Sequence, residues 1–146
     1  MANRKATAEW KAGLQDGRGT FESESGVISG RYSFTSRFTD EGERGATNPE
    51  ELIAAAHAAC FSMQFAAMLE LAGHKAESVE TEATVQVLKE GEGFAVKRIT
   101  LRTVGRVAGI DDATFQDLGR QAKEICPISK ALGAVETIEL EASLAS

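Results

Sequence analysis

Residues 48–73 read NPEELIAAAHAACFSMQFAAMLELAG, and the reading of the fold turns on this stretch. Asn48 is a good N-cap, Pro49 suits the first helical position, and Glu51, three residues after the cap, can close a capping box. Gly73 is a natural stop. The stretch predicts one helix over 49–72, ~36 Å long at 1.5 Å per residue. Between Leu52 and Leu71 it is apolar nearly all round, and such a helix is buried on most sides, in a core or in a subunit interface. In a chain of 146 residues, a helix of that length points to an obligate oligomer that encloses it. His57 stands inside this helix, and Cys60 follows it by three residues. A free cysteine is often a small buried hydrophobe, but it can also be a reactive thiol. Composition and spacing leave both readings open.

Upstream, TAEWKAGL and GRGTFESES predict two short strands about a turn at Asp16–Gly17, with Ala8 and Trp10 on one face of the first. GRYSFTSRF is expected to be a third strand, because Tyr32, Phe34 and Phe38 alternate with Ser33, Thr35 and Arg37. The polar segment TDEGERGATN follows as a loop. Downstream, SVETEATVQVLK and FAVKRITLRTVGRV predict a hairpin around EGEG. Asp111 caps a second helix over 112–125, with Phe115, Leu118, Ala122 and Ile125 along one side. Cys126–Pro127 breaks it, since Pro127 cannot continue the hydrogen bonding. A short helix, ISKAL, ends at Gly133. In VETIELEASL, Ile138, Leu140, Ala142 and Leu144 face inward. The order βββ-α-ββ-α-β predicts an α+β fold with largely antiparallel sheets, and 1–146 reads as a single domain.

A chain of this length buries roughly 68–70% of the surface that its unfolded form exposes, so it needs no metal or disulfide staple. The net charge of −6, with no basic run, argues against a nucleic-acid surface, which needs clustered Lys and Arg. No stretch reaches the ~20 apolar residues of a membrane span, so no membrane association is expected. The N-terminal MANRKATAEWK carries no apolar signal core and reads as a cytoplasmic start. Two histidines and two cysteines give no zinc pattern, and no glycine-rich nucleotide loop is present. Neither a metal nor an organic cofactor is therefore expected. In a reducing cytosol, two such cysteines are either inert core thiols or redox-active ones.

The two cysteines differ in setting. Cys60 lies in mid-helix, too far from the helix N-terminus for its dipole to matter, and apolar neighbours would raise its pKa. Activating it requires a cation brought from elsewhere in the fold. Cys126 precedes Pro127 at the first turn of ISKAL, where amide N–H groups favour a thiolate.

NPEELIAAAHAACFSM, followed by ICPIS, resembles the OsmC (osmotically inducible protein C) branch of the OsmC/Ohr superfamily. The likeness extends to the start AEWKAGLQDGRGTFESESGV and to Phe-Thr-Ser-Arg-Phe, and so covers essentially the whole chain. The resemblance implies an OsmC-like fold in an intertwined homodimer, with active sites at the subunit interface. It implies a thiol peroxidase of oxidative and osmotic stress that reduces organic hydroperoxides, and hydrogen peroxide too. Cys60 would be the peroxidatic cysteine and Cys126 the resolving one, joined in a disulfide during turnover. An external dithiol, such as a lipoyl protein, would regenerate them. Arg37 matches the arginine beside the reactive thiol, with Arg18 as the competing candidate, and Glu50 matches the carboxylate that holds the arginine. His57 is left in a supporting or structural role. Glu50 and Cys60 are ten residues apart, about 15 Å along a straight helix, and differ by roughly 80° in phase at 100° per residue. Either the helix breaks between them or Glu50 comes from the partner subunit, and the partner is expected. Two other readings stand beside the peroxidase: a non-catalytic module binding small hydrophobic ligands, and a structural stress protein with buried thiols.

Overall fold

The computed structural model describes residues 2–39 and 43–146. Met1, and residues 40–42 of the loop TDEGERGATN, lie outside the described residues. The chain forms two compact units, Met1–Leu52 and Ile53–Ser146.

In the first unit, β1 (Ala6–Lys11), β2 (Arg18–Ser23) and β3 (Ser29–Tyr32) form an antiparallel sheet in that order. Gly19 pairs with Trp10 on one side and Tyr32 on the other. A Cβ on Gly19 would lie 2.2 Å from the Tyr32 ring. Its absence lets that ring lie across β2, with its centroid 5.5 Å from that of Trp10.

The strand expected over GRYSFTSRF stops at Tyr32. Phe34–Phe38 form a short helix, α1, instead. The cause is a reciprocal cap. The Ser33 hydroxyl accepts from the Ser36 N–H at 3.0 Å, and the Ser36 hydroxyl accepts from the Ser33 N–H at 2.9 Å, so two otherwise orphaned donors are satisfied. Phe34 and Phe38 sit four apart with ring centroids 5.0 Å from each other, a spacing that suits a helical turn as well as a strand face.

The long helix, α2, spans Pro49–Leu71 without interruption. Its first turn belongs to the first unit and the rest to the second. The Asn48 side chain accepts from the Glu51 N–H at 2.8 Å. The expected capping box is only half formed, because the Glu51 carboxylate accepts from the Thr47 hydroxyl rather than turning back to Asn48.

In the second unit, β4 (Ala76–Glu90) and β5 (Gly93–Val107) pair as a long antiparallel hairpin. Two helices follow, α3 (Asp112–Ile125) and α4 (Pro127–Ala131), and they carry the chain back so that β6 (Thr137–Leu144) joins β5 in parallel. A parallel neighbour needs such a crossover. Asp111 caps α3 by accepting from the Thr114 N–H at 2.9 Å. Phe115 lies over Gly105 of β5, where a Cβ would come within 2.5 Å of its ring. Phe61, Phe65 and Leu69 of α2, Ile99 and Leu101 of β5, and Phe115, Ala122 and Cys126 make up the buried core.

Along α2, every fourth residue from His57 is buried: His57, Phe61, Phe65 and Leu69. The opposite stripe of Ala55, Ala59, Met63, Ala67 and Leu71 is apolar and exposed, with Met63 at 71% and Leu71 at 84%. Contrary to the expectation of no membrane-length stretch, α2 is long and apolar enough to cross a bilayer by length and composition. An 18-residue window has a mean hydropathy of 1.6, and only 22% of that window is buried within the chain.

Candidate active site

Cys126 is the joint between α3 and α4. Its N–H donates to the Ala122 carbonyl at 2.9 Å, ending α3, and its own carbonyl accepts from the Lys130 N–H at 3.0 Å, opening α4. Pro127, with no N–H to lose, fits the first position of α4. This joint sets the Cys126 sulfur against α2, where Cys60 Sγ lies 3.5 Å away. Both thiols are free. A disulfide requires about 2.05 Å, so a closure of about 1.5 Å would join them.

The two thiols are not electrostatically equal. Burial pushes the Cys60 thiol up, and the neighbouring Cys126 adds to this, against an opposing pull from the Ile128 backbone amide. At Cys126, burial also pushes upward. There it is outweighed by the Ser129 backbone amide, the Ser129 hydroxyl, the Cys60 thiol and the Ile128 amide, and the net shift is downward. Within this chain, the surroundings thus raise the pKa of Cys60 and lower that of Cys126.

Beside them, His57 Nε2 lies 2.7 Å from Ser129 Oγ. His57 is fully buried and Ser129 is 8% exposed. Burial lowers the His57 pKa, so the ring is neutral at physiological pH. Among the described residues, its Nδ1 has no hydrogen-bond partner. The sequence marked His57 but not Ser129. The one available signal is the position of Ser129 three residues after Cys126, one turn along a short helix.

In the first unit, Arg37 of α1 and Glu50 of α2 form a bidentate pair. Arg37 Nη2 donates to Glu50 Oε1 at 2.7 Å, and Arg37 Nε donates to Oε1 at 3.0 Å and Oε2 at 3.2 Å. The Glu50 side chain is 10% exposed, and the guanidinium sits 4.9 Å from the centroid of the Phe38 ring. Arginine and carboxylate thus come from one chain and are fixed as a unit. Arg37 leaves α1 rather than the strand expected for it. Among the described residues, Arg18 forms no such bidentate pair: it donates to the Gly17 carbonyl at 2.8 Å and stands 4.0 Å from Glu43, with a side chain 60% exposed. The uninterrupted α2 removes the alternative of a helix break between Glu50 and Cys60. Among the described residues, no group of three or more His, Cys, Asp or Glu could hold a metal ion.

The family model described as OsmC-like protein matches residues 41–141. The chain is 44% identical to the peroxiredoxin OsmC of Escherichia coli (strain K12) over 140 residues, covering 95% of this chain and 96% of that protein. It is 36% identical to the organic hydroperoxide resistance protein OhrA of Bacillus subtilis over 100 residues, covering 66% and 67%. Among solved structures, the organic hydroperoxide resistance protein OsmC from Legionella pneumophila superposes with a TM-score of 0.71 at 26% identity, covering all of both chains.

Proposed function

The chain belongs to the OsmC-like family, and from that premise we propose that it is a cysteine-based peroxidase. It reduces organic hydroperoxides, and hydrogen peroxide, in the response to oxidative and osmotic stress. The observation that carries this reading is the free dithiol, Cys60 Sγ to Cys126 Sγ at 3.5 Å, in a chain similar to named hydroperoxide-resistance proteins. Residues 1–146 act as one OsmC-like domain in a reducing, cytoplasmic setting, where both thiols begin the cycle reduced.

In the cycle, the Cys60 thiolate attacks the distal peroxide oxygen. The O–O bond breaks, and the alkoxide or hydroxide leaves and takes up a proton as alcohol or water. Cys60 is oxidised to a sulfenic acid. The Cys126 thiolate then attacks Cys60 Sγ, hydroxide leaves as water, and a disulfide forms before further oxidation to sulfinic acid. An external dithiol, such as a protein-bound lipoyl group, reduces that disulfide.

Burial alone keeps Cys60 protonated, so the first step needs a cation. Arg37 is that cation, its fork held by Glu50. Depressing a thiol by two or three units takes roughly 3–4 kcal/mol, which one close ion pair in a dry site supplies. The helix arithmetic that separates Glu50 from Cys60 favours delivery of the Arg37–Glu50 unit to the Cys60 of a second copy. The exposed stripe of α2 supports a homodimer: Ala55, Ala59 and Ala67 let a partner approach closely, and Met63 and Leu71 would be covered by it.

Mass spectrometry before and after one equivalent of cumene hydroperoxide tests the reading. A loss of about 2 Da with both thiols blocked marks the disulfide. A Cys60→Ser variant that consumes the hydroperoxide as fast as the parent would end it, and would return the chain to a ligand-binding or structural role.

A further inference from the structure

The peroxidase cycle as written uses Cys60 and Cys126 and leaves the buried pair of His57 and Ser129 with no task. We propose that the His57–Ser129 hydrogen bond is a positioning clamp for the resolving step, which holds α4 in register on α2 and so keeps Cys126 Sγ within closing distance of Cys60 Sγ. The clamp deepens the peroxidase reading and rests on it for its place in the cycle, but not for its geometry.

Two contacts join α2 to the start of α4. His57 Nε2 lies 2.7 Å from Ser129 Oγ, and Cys60 Sγ lies 3.5 Å from Cys126 Sγ. His57 precedes Cys60 by three residues, and Ser129 follows Cys126 by three. The contacts are therefore two rungs about one helical turn apart, and their numbering runs in opposite directions along the two helices. A thiol is a weak donor and a weak acceptor, so the sulfur rung holds little by itself. The other rung is short, and both its residues are buried. Its proton can be placed. Nδ1 has no partner among the described residues, and a proton there would leave a donor orphaned in the core. The proton thus sits on Nε2, and His57 donates to Ser129 Oγ.

The clamp acts where α4 is least constrained. This helix has only five residues, and it leaves Cys126 at a non-helical ψ of 121°, so its direction is set at that joint. Ile128 and Leu132 pack against the core, but apolar burial is non-directional and fixes no register. A hydrogen bond fixes both distance and angle. On the other side of Cys60, Ser62 Oγ donates to Thr81 Oγ1 at 2.8 Å, and Thr81 Oγ1 lies 3.0 Å from Thr103 Oγ1. Cys60 thus lies between a polar anchor to α4 and a polar anchor to the sheet.

Resolution is a race. Cys126 attacks the sulfenic sulfur of Cys60, the S–S bond forms, the S–O bond breaks, and the oxygen leaves as water. The competitor is a second hydroperoxide, which carries the sulfenic acid on to sulfinic acid. Sulfurs held about 1.5 Å short of a bond make the first path an intramolecular step of high effective concentration.

Two measurements test the clamp. The first is the equilibrium of the full-length protein with glutathione, in which protein dithiol and glutathione disulfide yield protein disulfide and two glutathione thiols. Ser129→Ala is expected to lower this constant about tenfold, a rise in potential of about 30 mV. His57→Leu should do the same, and the double variant should fall no further than either single, because all three lose one shared bond. Ser129→Thr keeps the hydroxyl and restores the constant, and Gly105→Ala, which disturbs packing away from the clamp, leaves it in place. A constant that holds or rises in Ser129→Ala, or falls about a hundredfold in the double variant, would overturn the proposal. The second measurement is the fraction of Cys60 that gains two oxygens, about 32 Da, per turnover in excess cumene hydroperoxide with dithiothreitol as reductant. Ser129→Ala should raise it about tenfold, and an unchanged fraction would also overturn the clamp. If the protein proves inert to hydroperoxides, the peroxidase reading fails and the glutathione equilibrium still decides the clamp.

Discussion

At the scale of single residues, the buried imidazole of His57 has a measurable effect on stability. The folded protein lowers the His57 pKa by burial, while in the unfolded chain it returns to about 6.5. Between those values the unfolded state binds more protons, so this contribution to stability is complete above about pH 6.5 and is lost as the pH falls toward the folded pKa. Urea unfolding at pH 7.5 and 5.5 should show a larger loss on acidification in the parent than in His57→Gln. Equal losses would place the ring in water. The arginine assignment is also a question for one side chain. Arg37→Ala is expected to raise the Cys60 titration midpoint and slow hydroperoxide reduction by roughly 10²-fold, the effect of about two pKa units. Arg18→Ala should leave the midpoint in place; the opposite pattern would transfer the role to Arg18. Composition and spacing left Cys60 and Cys126 open, and it was the family resemblance that singled them out together with Arg37 and Glu50; the structure brings the two sulfurs within 3.5 Å and pairs Arg37 with Glu50. Ser129 was singled out by neither. A serine in a five-residue helix has no pattern of its own, and its meaning comes from a histidine 72 positions away.

At the scale of elements, most boundaries follow from local chemistry. Asp111, Pro127 and the alternation of VETIELEASL define α3, α4 and β6 as expected. The segment after Tyr32 departed from expectation because aromatics at 34 and 38 satisfy a strand face and a helical turn equally. The decision lay with two serines three apart, which close a cap no periodicity records. The parallel setting of β6 on β5 was also hidden, since alternation fixes which face a strand buries and not its direction. The packing of α3 on the sheet depends on one missing side chain. Phe115 is fully buried and cannot swing away from a Cβ placed 2.5 Å from its ring. Gly105→Ala should therefore destabilise the protein by about 1–3 kcal/mol, read as a lower urea midpoint with unchanged slope. A variant as stable as the parent would show that the ring is free to move.

At the scale of the whole molecule, α2 carries two apolar stripes, and among the described residues one is buried and the other is exposed. Met63→Glu puts a charge in the uncovered stripe, and a dimer seen by sedimentation should dissociate, with hydroperoxide reduction lost alongside if the Arg37–Glu50 unit serves the opposite copy. A monomeric Met63→Glu protein that keeps full activity would place each site within one chain. The two sulfurs are 66 positions apart in sequence, and that separation has its own outcome. Joining them ties a long loop in the denatured chain, which favours the native form by about 4 kcal/mol in the chain-entropy picture. Calorimetry should thus find a higher melting temperature after hydroperoxide treatment than before it. The spent form is the hardier one, and each recharge by reductant returns the molecule to its softer state. When reducing equivalents run short, the pool would fill with durable protein waiting to be switched back on.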